Sequence, residues 1–163
     1  MKKLNQWIDR FAYSHPRFGI PNLMLYIVIA NAVTYILTLF AGAAALSFLE
    51  FDLYHVLHGE VWRLVTFVLL PFTYRPISLF IMLSFCYFVG GTLEREWGTA
   101  KFTLYYLSGM LFSVLSTVIL SLATGYYGWS LSDAYYINLT MFLAFAVMYP
   151  DAQVWFYGVI PLK

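Results

Sequence analysis

Residues 22–48 read NLMLYIVIANAVTYILTLFAGAAALSF and contain no charged side chain. A helix needs about 20 apolar residues to cross roughly 30 Å of hydrocarbon, and this run is long enough. Its polar residues Asn31, Thr34 and Thr38 are expected to face other helices rather than lipid, because membrane helices use such side chains to associate. The run therefore predicts a transmembrane helix.

Three further apolar runs follow at residues 77–93, 102–124 and 134–149. The charged cluster at residues 94–96 ends the second run, since a charge at a helix centre costs about 2.5–3.5 kcal/mol on insertion scales. The fourth run is short, and residues 153–162 are apolar but too few to cross. Small residues recur every four positions along the third run and predict close helix packing: Gly109, Ser113, Thr117 and Ser121. We predict an all-α membrane protein, a polytopic bundle of about four transmembrane helices.

The composition agrees with a membrane protein. Hydrophobic residues make up 62% of the chain and charged residues 10%, against about 45–50% and about 25% in soluble domains. A net charge of +1 without a basic block gives no reason to expect nucleic acid as a partner. The single cysteine, Cys86, excludes an intrachain disulfide and a paired-cysteine metal site.

Residues 1–20 precede the first run and do not read as a cleavable signal, because polar residues interrupt them. Apolar residues at helical spacing predict a short amphipathic helix in the membrane interface; the alternative is a solvated leader whose periodicity is accidental. These apolar residues are Leu4, Trp7, Ile8, Phe11 and Ala12. We predict a single transmembrane domain over residues 1–163 with this segment at its start.

The positive charges predict the orientation. With the N-terminus inside and four crossings, only Arg63 and Arg75 lie outside, which agrees with the excess of basic residues in cytoplasmic loops. The protein is therefore expected to be multi-pass with a cytoplasmic N-terminus, and we assign it to a bacterial plasma membrane. The basic residues then on the cytoplasmic side are Lys2, Lys3, Arg10, Arg17, Arg95, Lys101 and Lys163.

The aromatic-rich connection at residues 51–76 is expected in or near the membrane interface. Its residues 59–66, GEVWRLVT, resemble the tryptophan–arginine motif of the rhomboid superfamily, which lies in the first external loop before the second helix. Arg63 carries a rigid fork of donors that can bind several backbone carbonyls or lipid phosphates, and Trp62 is a large interfacial anchor. The alternative is an ordinary interfacial Trp beside a snorkelling Arg.

A second segment, residues 90–98, resembles the end of the rhomboid second helix. There a glycine, a glutamate and another glycine precede a basic and an aromatic residue. The first position corresponds to the pair Gly90 and Gly91, and the other four are filled by Glu94, Gly98, Lys101 and Phe102. The resemblance covers about residues 23–151 and extends to derlin-related proteins. It implies a rhomboid-like bundle.

The catalytic part of that resemblance is missing. Active rhomboids carry Gly-x-Ser-Gly at the start of the fourth helix, but the corresponding position is near Tyr135, with no serine or cysteine beside it. The oxyanion-binding histidine and asparagine of the second helix correspond to Ser78 and Met82, and methionine cannot donate a hydrogen bond. No further helix follows to supply a histidine. The resemblance then implies either a four-helix version or the first part of a six-helix protein.

Polar residues at two other places in the sequence are candidate sites. Asn138, inside the fourth run, is an intramembrane polar residue and therefore a functional candidate, although an interhelical hydrogen bond explains it more simply. His55 and His58 could bind a metal with Asp52 and Glu60, but interfacial histidines are commoner. We predict no metal site and no cofactor.

The leading functional hypothesis is a non-catalytic rhomboid-like protein, a pseudoprotease, that binds or stabilises transmembrane clients. Its expected partners are membrane lipids and the transmembrane helices of client proteins. One alternative is an intramembrane serine protease whose catalytic helices lie outside this chain. Another is an unrelated membrane scaffold or transport subunit.

Overall fold

The computed structural model describes residue 10 and residues 18–42, 46–71, 73–125 and 134–150, with the backbone of 154–156 and 160–162. Within these residues, three helices are long and apolar enough to span a membrane: α1 (Leu23–Ala41), α4 (Pro76–Trp97) and α5 (Thr99–Thr124). A shorter apolar helix, α6 (Ala134–Met148), completes the helical membrane bundle. Between α1 and α4 lie α2 (Leu53–Leu57), α3 (Arg63–Thr66) and a 3₁₀ turn (Phe67–Leu69). The predicted interfacial helix at residues 1–20 falls almost wholly outside the described residues.

The first helix is shorter than the apolar run that predicted it. It ends at Ala41, because Gly42 adopts a positive φ of 75° and its amide donates to Thr38 O at 3.0 Å. The prediction of one helix to residue 48 was therefore wrong at its C-terminal end. Hydropathy did not detect this end because the residues after Gly42 are also apolar.

The second helix is longer than predicted, since α4 continues through the charged cluster to Trp97. Its last turn carries Glu94, whose Oε1 accepts hydrogen bonds from Asn22 N and from Thr99 Oγ1. Charges that are expensive in hydrocarbon are tolerated here because they lie at the end of the bundle, where polar partners reach them. The prediction that the helix ends before residue 94 was wrong.

The connection between α1 and α4 contributes to the core as well as to the surface. Phe51 and Phe67 are each 1% exposed, and Val68 is similarly buried. Irregular backbone inside a membrane must find hydrogen-bond partners within the protein. Asn31 Nδ2 donates to Val68 O at 3.0 Å, and Thr34 Oγ1 donates to Leu69 O at 2.5 Å. As predicted, these two polar residues of α1 face protein.

One end of the bundle gathers the start of α1, the end of α4, the start of α5 and the end of α6. Trp97 Nε1 lies 3.0 Å from Met148 Sδ, and Ile20 N donates to Thr103 Oγ1 at 3.1 Å. This arrangement gives the four helices alternating directions. Beyond α6, the short strands β1 (Val154–Phe156) and β2 (Ile160–Leu162) pair antiparallel, a hairpin that hydropathy did not predict.

Candidate functional site

Arg63 is buried at the base of the connection between α1 and α4, with 5% of its surface exposed. Its Nη1 donates to Ser47 O at 2.5 Å and to Glu50 O at 2.7 Å, and its Nε donates to the Glu60 carboxylate at 2.5 Å. The guanidinium carbon also lies 5.8 Å from the centre of the Phe48 ring. Arg63 therefore joins α3 to the turn that follows α1.

The two neighbouring carbonyls of that turn are also occupied. Trp62 Nε1 approaches Phe48 O at 3.4 Å, and Thr66 Oγ1 donates to Leu49 O at 3.0 Å. The Trp62 and Phe48 rings lie 5.1 Å apart at 33°. Four consecutive carbonyls thus receive side-chain donors from one helical segment. The contribution of Thr66 was not singled out from the sequence, although its spacing from Arg63 places both on one helical face.

The glycine–glutamate segment lies at the junction of α1, α4 and α5. Gly90 packs directly on α1, because a Cβ atom at that position would lie 2.5 Å from Met24 Cγ. Gly91, one residue later, has only Arg95 Nη2 within 4 Å of such a Cβ, at 3.9 Å. Gly98 adopts a positive φ of 83° between α4 and α5 and allows the reversal there. The motif residues therefore assemble a junction between helices.

The two histidines of the connection between α1 and α4 form hydrogen bonds with residues three or four positions earlier in the sequence. His55 Nδ1 lies 2.8 Å from the Asp52 carboxylate, and His58 Nδ1 lies 2.7 Å from Tyr54 O. The Tyr54 ring also packs against the His58 ring at 4.2 Å. Among the described residues, no group of three or more His, Cys, Asp or Glu side chains is placed to hold a metal ion.

Asn138 is completely buried in α6. Its Nδ2 donates to Ala134 O of the same helix at 2.8 Å, and its Oδ1 has no partner among the described residues. The interhelical hydrogen bond expected from the sequence is therefore not the one seen. Asn31 Oδ1 on α1 is likewise buried without a described partner.

A groove of about 560 Å³ lies between α5 and α6. Gly109 brings the helices together at one point, since a Cβ there would lie 3.2 Å from Ile137 Cγ2. Small and hydroxyl-bearing side chains occupy much of its wall, and the predicted stripe supplies Gly109 and Ser113. The groove is lined by Tyr105, Ser108, Gly109, Phe112, Ser113, Ser116, Tyr136, Ile137 and Thr140.

The start of α6, which the sequence resemblance compared with the nucleophile segment of active rhomboids, carries aromatic residues. Tyr135 and Tyr136 are about half exposed, and their rings lie 5.6 Å apart. Helix α6 contains no serine, cysteine or histidine. Its hydroxyl groups belong to tyrosine and threonine, and Thr140 Oγ1 donates to Ile137 O at 2.8 Å.

A family model described as eukaryotic integral membrane protein (DUF1751) matches residues 23–163, from the start of α1 to the end of the chain. The chain belongs to this family. No curated protein and no solved structure matches it. The family establishes an integral membrane protein, in agreement with the three long apolar helices.

The family corrects the predicted location. Assignment to a bacterial plasma membrane was wrong, because the matching family is eukaryotic. Hydropathy and the distribution of Lys and Arg report spans and orientation. They do not distinguish a bacterial membrane from a eukaryotic one, so the residues offered no signal that would have prevented the error.

Proposed function

We propose that this protein is a non-catalytic, rhomboid-like membrane protein that binds a transmembrane helix of a client protein. The observation that carries the proposal is the groove between α5 and α6. Its volume of about 560 Å³ and its small residues suit the close approach of another helix. The client helix would lie along α5 and α6, with its small or polar residues toward the groove.

Hydroxyl groups within the mostly apolar wall of the groove support a protein occupant. Ser108 Oγ donates to Tyr105 O and Ser116 Oγ donates to Phe112 O, so each hydroxyl is already satisfied within its own helix. Each oxygen can still accept a further hydrogen bond, because a hydroxyl has two lone pairs. A client helix with a serine, threonine or asparagine side chain can provide that donor, whereas a lipid chain cannot.

The rhomboid resemblance supports the same proposal. Two segments carry this resemblance. In the first, Trp62 and Arg63 donate hydrogen bonds to the turn after α1. In the second, Gly90 and Glu94 contact the start of α1. They hold the scaffold around α5 and α6 and contribute no catalytic group.

Photocrosslinking tests client binding. A photoreactive phenylalanine analogue replaces Thr140 in the groove, and in a matched variant it replaces Leu111. Leu111 lies on α5 outside the groove and is 58% exposed. Crosslinked peptides are identified by mass spectrometry after proteolysis. We expect adducts to transmembrane segments at position 140 and lipid adducts at position 111. Lipid adducts alone at both positions would contradict the proposal.

A separate experiment tests the proposal that the protein is not a protease. Acyl transfer needs an activated nucleophile, a base and oxyanion donors. The purified protein in lipid is incubated with a fluorophosphonate probe and a rhomboid-type transmembrane substrate. We expect neither labelling nor cleavage. Cleavage that disappears with Tyr135→Phe or His58→Ala would instead assign a proteolytic activity to this chain.

A further inference from the structure

A second cavity, of about 330 Å³, lies at the junction of α1, the end of α4 and the start of α5. Its apolar part is formed by Met24, Leu25 and Tyr87 and reaches along the bilayer-spanning helices. Its polar part contains Glu94 and Arg95 at the end of α4. Tyr87 and Glu94 are separated by about 10 Å along the helix, at 1.5 Å per residue. Because charged side chains favour the membrane surface and apolar ones the hydrocarbon, we expect the cavity to extend from the surface into the bilayer.

The guanidinium of Arg95 is available for an anion. Arg95 is exposed, and no side-chain hydrogen bond or ion pair connects it to another residue in the described ranges. Its Nη2 lies beside the space left by Gly91, 3.9 Å from where a Cβ atom would be. A guanidinium binds phosphate through two parallel hydrogen bonds. The cavity thus presents a phosphate-binding side chain where lipid phosphates lie.

The carboxylate of Glu94 restricts which phosphate fits. Its Oε1 accepts from Asn22 N at 2.8 Å and from Thr99 Oγ1 at 3.2 Å. No described donor bonds its Oε2, and no ion pair joins Glu94 to Arg95. A headgroup with negative charge alone would be repelled by this carboxylate. A headgroup that adds a primary ammonium can donate a charge-assisted hydrogen bond to it.

We infer that this cavity binds a phospholipid with an ethanolamine headgroup. The phosphate pairs with Arg95, the ammonium pairs with Glu94 Oε2, and an acyl chain follows Met24, Leu25 and Tyr87. A choline headgroup cannot donate a hydrogen bond to Glu94. A glycerol headgroup has no positive charge, and a serine headgroup adds a carboxylate beside Glu94.

The test is a lipid titration of the purified full chain, followed by native mass spectrometry. Phosphatidylethanolamine, phosphatidylcholine and phosphatidylglycerol with identical acyl chains are compared. We expect ethanolamine lipid to bind about tenfold more tightly than the other two, the scale of one charge-assisted hydrogen bond. Equal binding of all three lipids would overturn the inference.

Substitutions in the cavity test whether the lipid binds there. Arg95→Gln and Gly91→Leu should each weaken ethanolamine-lipid binding about tenfold, by removing the phosphate partner and by filling the cavity. Glu94→Gln keeps the acceptor for Asn22 and Thr99 and should reduce ethanolamine binding to the choline level. Arg75→Gln and Thr92→Leu are matched controls outside the cavity and should bind as the wild type does.

Two outcomes contradict the inference. If Arg95→Gln and Gly91→Leu retain wild-type binding while both are folded by thermal melting, the lipid binds elsewhere. If soluble glycerophosphoethanolamine binds as tightly as the lipid, the ligand is a free phosphate ester and the membrane-lipid assignment is wrong. The titration needs no client, so its result is independent of the α5–α6 groove.

Discussion

The backbone amide of Asn22 donates a 2.8 Å hydrogen bond to Oε1 of Glu94, 72 residues away in the sequence. The same oxygen accepts from Thr99 Oγ1 at 3.2 Å. A single carboxylate oxygen therefore connects the residue before α1 to the turn between α4 and α5. Asn22 itself has a positive φ of 56°, and its side chain makes no capping bond, so Glu94 provides a polar partner at the start of α1.

Replacement of Glu94 tests this junction. Glu94→Ala leaves the Asn22 amide and the Thr99 hydroxyl without their acceptor, and we expect a loss of about 0.5–1.5 kcal/mol, because the junction is partly exposed and water replaces part of the lost bonding. Glu94→Gln keeps a carbonyl oxygen in place and should lose less than half as much. Thermal unfolding in detergent, followed by tryptophan fluorescence, measures both. Equal losses would show that charge, rather than the two hydrogen bonds, stabilises the junction.

Two adjacent glycines of α4 should respond oppositely to the same substitution. Gly90→Ala places a methyl group 2.5 Å from Met24 Cγ, and overpacking of this kind costs about 1–3 kcal/mol. Gly91→Ala meets nothing closer than 3.9 Å and should be neutral or stabilising by up to about 1 kcal/mol, because alanine favours the helix.

The matched unfolding experiment compares these two variants with wild type. Gly90→Ala should cost less stability in a Met24→Ala background than in the wild type, since Met24→Ala removes the atoms that the new methyl group meets. If Gly90→Ala and Gly91→Ala unfold at the same temperature, the close packing of α1 on α4 at Gly90 is not a source of stability.

Helix positions could largely be predicted from the sequence, because crossing a membrane requires long apolar runs and backbone bonds closed within each helix. Helix ends were harder to predict from the sequence. Gly42 ends α1 by adopting a positive φ within an apolar run, and Glu94 extends α4 because distant groups satisfy its carboxylate. Hydropathy contains neither local backbone conformation nor long-range hydrogen bonds.

The candidate sites, too, could be predicted from the sequence only in part. The sequence predicted that the donors of Arg63 would bind backbone carbonyls. It could not predict that these carbonyls belong to Ser47 and Glu50, because that depends on the conformation of the turn after α1. The small-residue stripe indicated a packing face, yet it could not show that α6 leaves a groove beside Ser113. The intrahelical hydrogen bond of Asn138 was equally inaccessible, because periodicity does not give rotamers.

Arg63 should matter more to stability than the other arginine of the connection. Arg63→Ala removes the donors to two carbonyls and the partner of Glu60, so we expect about 2 kcal/mol of destabilisation. Arg63→Lys should fall between alanine and wild type, because an ammonium cannot reproduce the planar fork. Detergent thermal unfolding checks the order of these values.

Arg75→Ala provides the control, because Arg75 is exposed and its side chain makes no hydrogen bond within the described residues. We expect a change below about 0.5 kcal/mol, as for other surface positions. Equal and negligible effects of Arg63→Ala and Arg75→Ala would favour an ordinary snorkelling arginine over a residue that supports the connection.

The orientation predicted from the basic residues is a separate expectation. Fusions that carry a reporter after Thr99 should place it in the cytosol, and fusions after Trp129 should place it on the other side. The reason is the excess of Lys and Arg at the end of the bundle that contains the α4–α5 turn. Reporters on the same side of the membrane would exclude α5 as a complete span.

Client binding in the α5–α6 groove is tested most directly by filling the groove while the photoreactive probe stays at position 140. Ser116→Leu replaces a small lining residue of α5, and Ser84→Leu makes the same change on α4, where the serine also donates to the carbonyl four residues earlier. The measured quantity is the fraction of protein crosslinked to a client transmembrane peptide. We predict at least a fivefold loss with Ser116→Leu, about 1 kcal/mol, and no change with Ser84→Leu. Undiminished crosslinking in Ser116→Leu would contradict client binding in this groove.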